Sequence, residues 1–524
     1  MQRIAIIDLG SNSIRFIIMQ VETNGAFKLI YQEKKTLRLS EGMTKNSPLL
    51  TEDAQRRALD CLSVYAHAAK VHGVTSIRAV ATAAVRNAQN GSAFIRRVHM
   101  KTGIPMSIIS GRAEAALGFS GVIHTIDESD FLLFDLGGAS VEISLVRNKK
   151  RLHSVSIPIG AVTLTQAFGS RNVVTDEVRQ ALTNYIREKL SEIPWLPKGP
   201  IPVIGVGGTI RNLAKVHQRK TLYPLPKLHN YRFQTAELYP LVDELCTKTL
   251  AERKRISGLS SERADIIVAG ALVVSEITRR VSAEELIVSG CGLREGLFYY
   301  DYEKHFGPAK ENKMLMASAE NYLHTLPLDK DSHIAYITSM ALSLFDGWKT
   351  LHGLSPRDRT LLAASGILHD IGILVNYYSH ARHSGYMIVN SHLFGLTHRE
   401  QFICALAAAC HRGNPGKILR SNSLLRLMTD DDILRAKKIA VFLSIAEALD
   451  ETEEQSIVHL ACHLTPATAE LRVFLNQECY DVQCHATAPL LKNFEKLFGR
   501  PLHFTWFPDS TKPCSFAKNL DEIK

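Results

Sequence analysis

Three short runs of this 524-residue chain set glycines and hydroxyls directly after strand-like apolar residues: Gly10-Ser11-Asn12-Ser13, Gly137-Gly138-Ala139-Ser140 and Gly207-Gly208-Thr209. Glycine lets a backbone approach a ligand closely, and successive N–H groups beside a hydroxyl point at anionic oxygens, so the chemistry such runs can do is phosphate binding. The third run opens "GVGGTIRNL", at the head of an expected helix, where free N–H groups and the dipole also favour an anion. Asp8 and Asp135 each end an apolar run just before the first two loops. A carboxylate beside a phosphate cradle makes sense chiefly with a cation such as Mg²⁺ between them. One such Asp alone reads as a turn cap. Here the device is repeated: "IAIIDLGSNSIRFIIMQV" and "FLLFDLGGASVEISLV" share an apolar run, Asp-Leu-Gly, two small or polar residues, Ser, an apolar residue, a charged residue and a second apolar run. The repeat implies two related domains facing one ligand.

The elements that must position these residues follow from hydrophobic periodicity. "IAIIDLG", "SIRFIIMQV" and "FKLIYQEK" read as consecutive strands, Thr51 to Gly73 as a helix and "SIRAVAT" as a further strand. From Phe131 the pattern restarts with "FLLFDLGG" and "SVEISLVRN", then a helix from Asp176, "PVIGVGGT" and "ELIVSGCGLREG". From Lys313 to about Glu454 the spacing is helical, and the last stretch sets "AELRVFL" and "PLHFTWF" around a helix-like "APLLKNFEKLFG". Four domains are expected: two α/β domains at 1–126 and 127–307, an all-α domain at 308–454 and a small α+β appendage at 455–524.

Composition narrows the class. With 45% hydrophobic and 22% charged residues, the chain reads as globular. No window approaches the roughly 18 uninterrupted apolar residues of a membrane span, and no cleavage site follows the first residues, so no membrane association and a cytoplasmic location are expected. Nine cysteines without a CxxC pair argue against a zinc ribbon or a disulfide framework. A net charge of +10 favours a polyanionic partner. Nucleic acid is not expected, because no aromatic RNA-binding motif, zinc finger or long basic tail is present.

The loops, together with "ATAAVRNAQN", "IISGRAEAALGFSGV", "SIPIGAVTLT", "SSERADIIVAGALVV" and "VSGCGLREG", resemble the exopolyphosphatase and guanosine pentaphosphate phosphatase (Ppx/GppA) family of the actin-like superfamily. The resemblance covers about the first 300 residues and implies an actin-like, ribonuclease H-like pair of domains with a cleft between them, each supplying one phosphate hairpin. The family's catalytic Glu lies in an Ile-Ser-Gly-x-Glu-Glu-Ala motif, whose second Glu corresponds to Glu114; Ala113 stands where the first would be. The resemblance assigns Arg86 to the terminal phosphate, Asp135 and Glu142 to Mg²⁺, and Arg263 to phosphate. A Glu poised among phosphate cradles can orient and deprotonate water for in-line attack on a terminal phosphoryl group.

In the helical region, His333, His369-Asp370 and Asp450 fall in that order on three expected helices. The order resembles the HD phosphohydrolase domain, whose imidazoles and carboxylates hold a divalent metal. His383 and His411 lie between them and could extend such a site.

The expected function is removal of terminal phosphate from inorganic polyphosphate, with Mg²⁺, a possible second divalent metal in the HD-like domain, and a homodimer. Conversion of guanosine pentaphosphate to the tetraphosphate is the alternative within the family, and the basic charge tilts the choice to the longer polyanion. A sugar kinase or ATPase would use the same cradles for ATP. A non-catalytic polyphosphate or alarmone sensor would be consistent with Ala113.

Overall fold

The two repeated apolar runs form the central hairpins of two sheets in a computed structural model that describes residues 1–43, 47–307, 313–412, 423–508 and 513–523. The first sheet holds β1 (Gln2–Leu9), β2 (Ser13–Val21), β3 (Phe27–Thr36), β4 (Ser76–Ala81) and β5 (Met106–Ile108) in the order β3-β2-β1-β4-β5. The second holds β6 (Phe131–Leu136), β7 (Val141–Arg147), β8 (Lys150–Ile157), β9 (Val203–Gly207), β10 (Tyr231–Gln234) and β11 (Glu285–Val288) in the order β10-β11-β9-β6-β7-β8. Read from β8, the order 8-7-6-9-11 repeats 3-2-1-4-5, and β10 is an added edge strand. Pairing sense repeats too: β1 is antiparallel to β2 and parallel to β4, as β6 is to β7 and β9. Both faces of β1 are covered along Ile4–Ile7, which is why that run is uninterruptedly apolar.

Local signals fix the helices. Glu52–Val71 starts after Thr51, whose side chain accepts from the Ala54 N–H, and ends before Gly73, at φ +61°. Helix Leu293–Phe306 follows the second sheet in sequence but packs on the first: Leu293, Leu297, Phe298 and Tyr299 share a core with Ile4, Ile6, Ile17, Val21 and Val80. It crosses helix Gly111–Ile123 at backbone contact. A Cβ on Gly296 would stand 1.8 Å from the Leu117 carbonyl oxygen, and one on Gly121 would stand 2.0 Å from that of Gly292.

The chain divides into two compact units, Met1–Lys310 and Glu311–Lys524. The first holds both lobes. In the second, helices Asp331–Gly347, Pro356–Ile367, His398–Ala409 and Asp430–Leu449 surround a core that includes Ile337, Leu361, Ile403 and Phe442. A three-stranded sheet, β12 (Ile457–Leu464), β13 (Ala469–Leu475) and β14 (Leu502–Pro508), and helix Asp481–Phe498 add Leu471, Val473 and Phe494 to that same core. All nine cysteines are free. Among the described residues, no helix is long and apolar enough to cross a membrane.

Candidate active site

The duplicated hairpins set two equivalent rows of side chains across their sheets. In the first lobe Asp8 pairs with Arg15 and Arg15 with Lys34; in the second, Asp135 pairs with Glu142 and Glu142 with Ser156. The turns between the strands are also alike. The Gly10 N–H donates to the Ser13 carbonyl at 3.1 Å, and that of Gly137 to the Ser140 carbonyl at 2.9 Å. The two loops meet face to face: a Cβ on Gly138 would lie 3.1 Å from Ser11 Cβ and 3.5 Å from Asn12 Cβ. The third loop joins them through Gly207, at φ +112°, where a Cβ would stand 2.4 Å from the Leu136 carbonyl oxygen. Helix Gly208–Lys220 starts there, and the Arg263 guanidinium lies over Gly208, where a Cβ would fall 2.0 Å from Arg263 Cζ.

Two of the expected phosphate-loop hydroxyls have other groups beside them. Ser140 and Ser156 each donate to Glu142 Oε1 at 2.7 Å, so Ser140 orients that carboxylate. Thr209 is buried, with its hydroxyl turned to helix Ile267–Arg280, where a Cβ on Gly270 would meet it at 2.7 Å.

Glu114 stands in the first turn of helix Gly111–Ile123, whose start is capped by Ser110 accepting from the Ala113 N–H at 3.2 Å. Arg86, at the end of the short helix after β4, donates from Nη1 to Glu114 Oε2 at 2.8 Å and to the Ile109 carbonyl at 2.9 Å. Burial pushes Glu114 up to about 8; Glu142 adds to the rise and Arg86 offsets part of it. Burial also raises Glu142 to about 7, with Asp135 adding to it, and Asp135 to about 6, against the pull of Arg15. Asp8 is raised as well, by burial, with Arg15 and Arg294 opposing.

Asp8, Asp135 and Glu142 offer oxygen ligands of the kind that hard divalent cations take. Gly118 and Gly292 both border Asp135, since a Cβ built on either would stand 3.9 Å from its Oδ2.

Opposite the acids lies a basic group that single-loop motifs do not reveal: Arg15, Arg211 and Lys34, with Arg263. Burial lowers all four, and like charge adds to it, from Arg294 at Arg15, from Arg15 at Arg211 and Arg263, and from Arg263 at Lys34, with Lys34 down to about 8 and Arg263 to about 10. Arg15 is the charged residue of the first repeat and Glu142 that of the second, so the sequence did carry a signal for this polarity.

In the second unit, His369, Asp370, His411 and Glu447 offer ligand atoms within 4.8 Å of one another, all buried. His369 Nε2, Asp370 Oδ1, Glu447 Oε2 and His333 Nε2 are buried with no hydrogen-bond partner. Each imidazole is held from behind through Nδ1: His369 by the Gly366 carbonyl at 2.6 Å, His411 by that of Ala408 at 2.6 Å, His333 by Asp450 Oδ2 at 3.3 Å. That arrangement turns the Nε2 atoms toward the carboxylates, as in metal centres whose outer partners fix the ring. Asp450 therefore stands behind His333, with its other oxygen accepting from the Gln455 N–H at 2.7 Å, and Glu447, one turn earlier, faces the cluster. His380, whose Nε2 is 3.3 Å from Asp370 Oδ1, joins the group, as does His411; His383 is not part of it.

The family model described as the Ppx/GppA phosphatase family matches residues 17–305, and that of Ppx/GppA phosphatase, domain III, matches residues 316–493. A curated relative, the guanosine-5'-triphosphate,3'-diphosphate pyrophosphatase of Photobacterium profundum, is 27% identical over 407 residues, covering 76% of this chain and 78% of that protein. Among solved structures, an exopolyphosphatase from Cytophaga hutchinsonii is 27% identical with a TM-score of 0.53, covering 58% of this chain and 98% of its own. The Aquifex aeolicus member of the Ppx/GppA family gives 27% identity and a TM-score of 0.51 over the same shares. These neighbours cover the N-terminal half, whose paired lobes have the actin-like fold.

Proposed function

Since the chain belongs to the Ppx/GppA phosphatase family, we propose that it is an Mg²⁺-dependent exopolyphosphatase, releasing orthophosphate from the end of inorganic polyphosphate. The observation that carries this reading is Glu114, a buried carboxylate raised to about 8 and set beside Arg86 and the facing phosphate loops. As a carboxylate it takes a proton from water while the water oxygen bonds to the terminal phosphorus; the bond to the bridging oxygen breaks, leaving orthophosphate and a chain one unit shorter. Arg86 orients both partners, since its fork can hold a terminal phosphate and Glu114 together. The loops Gly10–Ser13, Gly137–Ser140 and Gly207–Gly208 receive phosphate oxygens through backbone N–H groups. Asp8, Asp135 and Glu142 would hold Mg²⁺, which supplies charge neutralisation at the phosphoryl oxygens.

A second reading, hydrolysis of guanosine pentaphosphate, is favoured by the activity that the name of the Photobacterium relative states. The net charge of +10 and the cationic side of the cleft favour the longer polyanion. Phosphate release from long polyphosphate and from guanosine pentaphosphate, measured side by side, separates the two: a higher kcat/KM for the nucleotide overturns the first reading.

The proposal extends to the second unit. Its orphaned buried nitrogens and oxygens support an HD-like site in which His369, Asp370, His411 and Glu447, with His333 and His380 beside them, hold a divalent transition metal.

A further inference from the structure

Helices Gly111–Ile123 and Leu293–Phe306, which cross at backbone contact, carry the chain between the two lobes. Past the end of the edge strand β3 the lobes meet again, this time through side chains. Arg38 Nη1 of the first lobe stands 3.0 Å from Asp265 Oδ2 of the second, and Thr36 Oγ1 donates to Glu262 Oε2 at 2.6 Å. Asp265 is buried, and its Oδ1 has no hydrogen-bond partner. A carboxylate so placed is costly unless a cation meets it. Within its own lobe only the more distant Arg171, at 3.5 Å, does so; the shorter contact comes from Arg38. The mount on the second lobe is stiff. Arg253, fully buried, donates to the Ala264 carbonyl at 2.9 Å and to the Arg171 carbonyl at 3.1 Å, tying together the segments that carry Asp265 and Arg171.

Each end of the ion pair leads to a phosphate loop. On the first lobe, the Leu37 and Arg38 N–H groups both donate to the Asn12 carbonyl at 2.9 Å, and that of Ser40 donates to the Ser11 carbonyl at 3.1 Å. The turn that makes these bonds holds Arg38 at φ +50°, a left-handed backbone that a long side chain rarely adopts and that persists only where its surroundings fix it. On the second lobe, Asp265 lies two residues after Arg263, whose guanidinium covers Gly208 of the third loop.

We infer that Arg38 and Asp265 are positioning residues: their ion pair, with Thr36–Glu262 beside it, clasps the lobes and sets the spacing between the first and third loops. The inference rests on the phosphatase reading above for its consequence in turnover. Neither residue has to touch the substrate. The clasp favours the arrangement in which both loops can bracket one phosphate chain, and without it the substrate itself must bring the lobes together. Apparent affinity then falls by the fraction of molecules no longer closed, while saturating substrate restores the arrangement.

The test is a double-mutant cycle. Asp265→Asn removes one charge, and Arg38→Asn removes the other with a residue that tolerates the left-handed turn. Each is expected to raise KM for polyphosphate about tenfold and to leave kcat within about twofold, and the double variant to be no worse than either. Arg38→Lys, which keeps the charge, should stay within about threefold of the wild-type KM. Unchanged KM, effects that multiply in the double variant, or a loss confined to kcat overturns the clasp. Hydrogen exchange of the substrate-free protein reads it without turnover. Asp265→Asn should speed exchange of the Leu37, Arg38 and Ser40 amides, in the opposite lobe, about tenfold, while helix Glu52–Val71 of that same lobe keeps its wild-type rates. No change at the three amides, or faster exchange throughout the lobe, overturns it too. If the wild type releases no phosphate from polyphosphate but exchange shows the response across the lobes, the phosphatase reading fails and the clasp stands; hydrolysis without that response does the reverse.

Discussion

Arg86 Nη1 bridges Glu114 Oε2, at 2.8 Å, and the Ile109 carbonyl oxygen, at 2.9 Å. One guanidinium nitrogen thus fixes the carboxylate to the backbone that leads into its own helix, while the rest of the fork stays available to a phosphate. Arg86→Ala is expected to weaken substrate binding and slow turnover, and Arg86→Lys to restore only part of both, because an ammonium cannot keep the Glu114 contact and a bidentate phosphate contact together. Steady-state kcat and KM of the two variants check this, and full restoration by Lys would show that charge alone matters.

Glu114→Gln is expected to lower kcat by at least about a hundredfold while leaving polyphosphate binding nearly intact, the usual scale for loss of a general base. The base works as a carboxylate and its value is raised to about 8 before a cation enters, so kcat/KM of the wild type rises with pH through the neutral range. Added Mg²⁺ favours the ionised cluster and moves that rise to lower pH. A pH profile at two Mg²⁺ concentrations reads the shift; identical profiles would falsify the shared cluster.

The same carboxylates tie stability to pH. Asp135, Glu142 and Glu114 are raised to about 6, 7 and 8 in the fold, from ordinary values of 3.8, 4.5 and 4.5. The folded chain therefore binds more protons than the unfolded one between those limits, and stability falls as pH rises through them. Protein stripped with a chelator should lose Tm from about pH 5 to pH 8, and Mg²⁺ should restore more at pH 8 than at pH 5. Glu142→Gln removes one of the three groups and should flatten the slope. Differential scanning calorimetry across that range measures all three.

The cluster of the second unit gives a metal-content prediction. Its mixed nitrogen and oxygen set suits Mn²⁺, Fe²⁺ or Zn²⁺ better than Mg²⁺ alone, so the purified protein should carry such a metal. His369→Ala/Asp370→Ala should remove it while Glu114-dependent phosphate release persists. Glu447→Gln should weaken metal binding more than Asp450→Asn, since Glu447 faces the cluster and Asp450 supports His333. Elemental analysis of the four proteins decides; equal metal in all of them means the cluster is structural.

What the sequence disclosed was local. The Asp-Leu-Gly repeat located both hairpins because strand, turn and carboxylate lie within one short window, and Thr51 with Gly73 bounded a helix by capping chemistry. Arg15 and Lys34 escaped notice because their meaning lies in cross-strand register, which sets residues nineteen positions apart side by side. Glu447 escaped for a different reason. It lies three residues before Asp450, on the same helical face, and only packing decides which of the two carboxylates turns inward. The hydroxyls of Ser140 and Thr209 show the converse, correct in type for a phosphate loop yet committed to Glu142 and to the packing against Gly270.

Helix Leu293–Phe306 closes over the first sheet although the chain has by then traversed the whole second lobe. The first lobe expressed by itself as residues 1–126 would expose Ile4, Ile6, Ile17, Val21 and Val80 to water, an invitation to aggregate. The Tyr302 hydroxyl donates to the Gly25 carbonyl at 2.9 Å, which fastens the late helix to the second hairpin turn of the chain. A minimal soluble fragment must therefore join the two by circular permutation, placing residues 293–306 ahead of residue 1 with a flexible linker. Such a permutant would offer the lobe carrying Arg86 and Glu114 for labelling and exchange studies without its partner lobe.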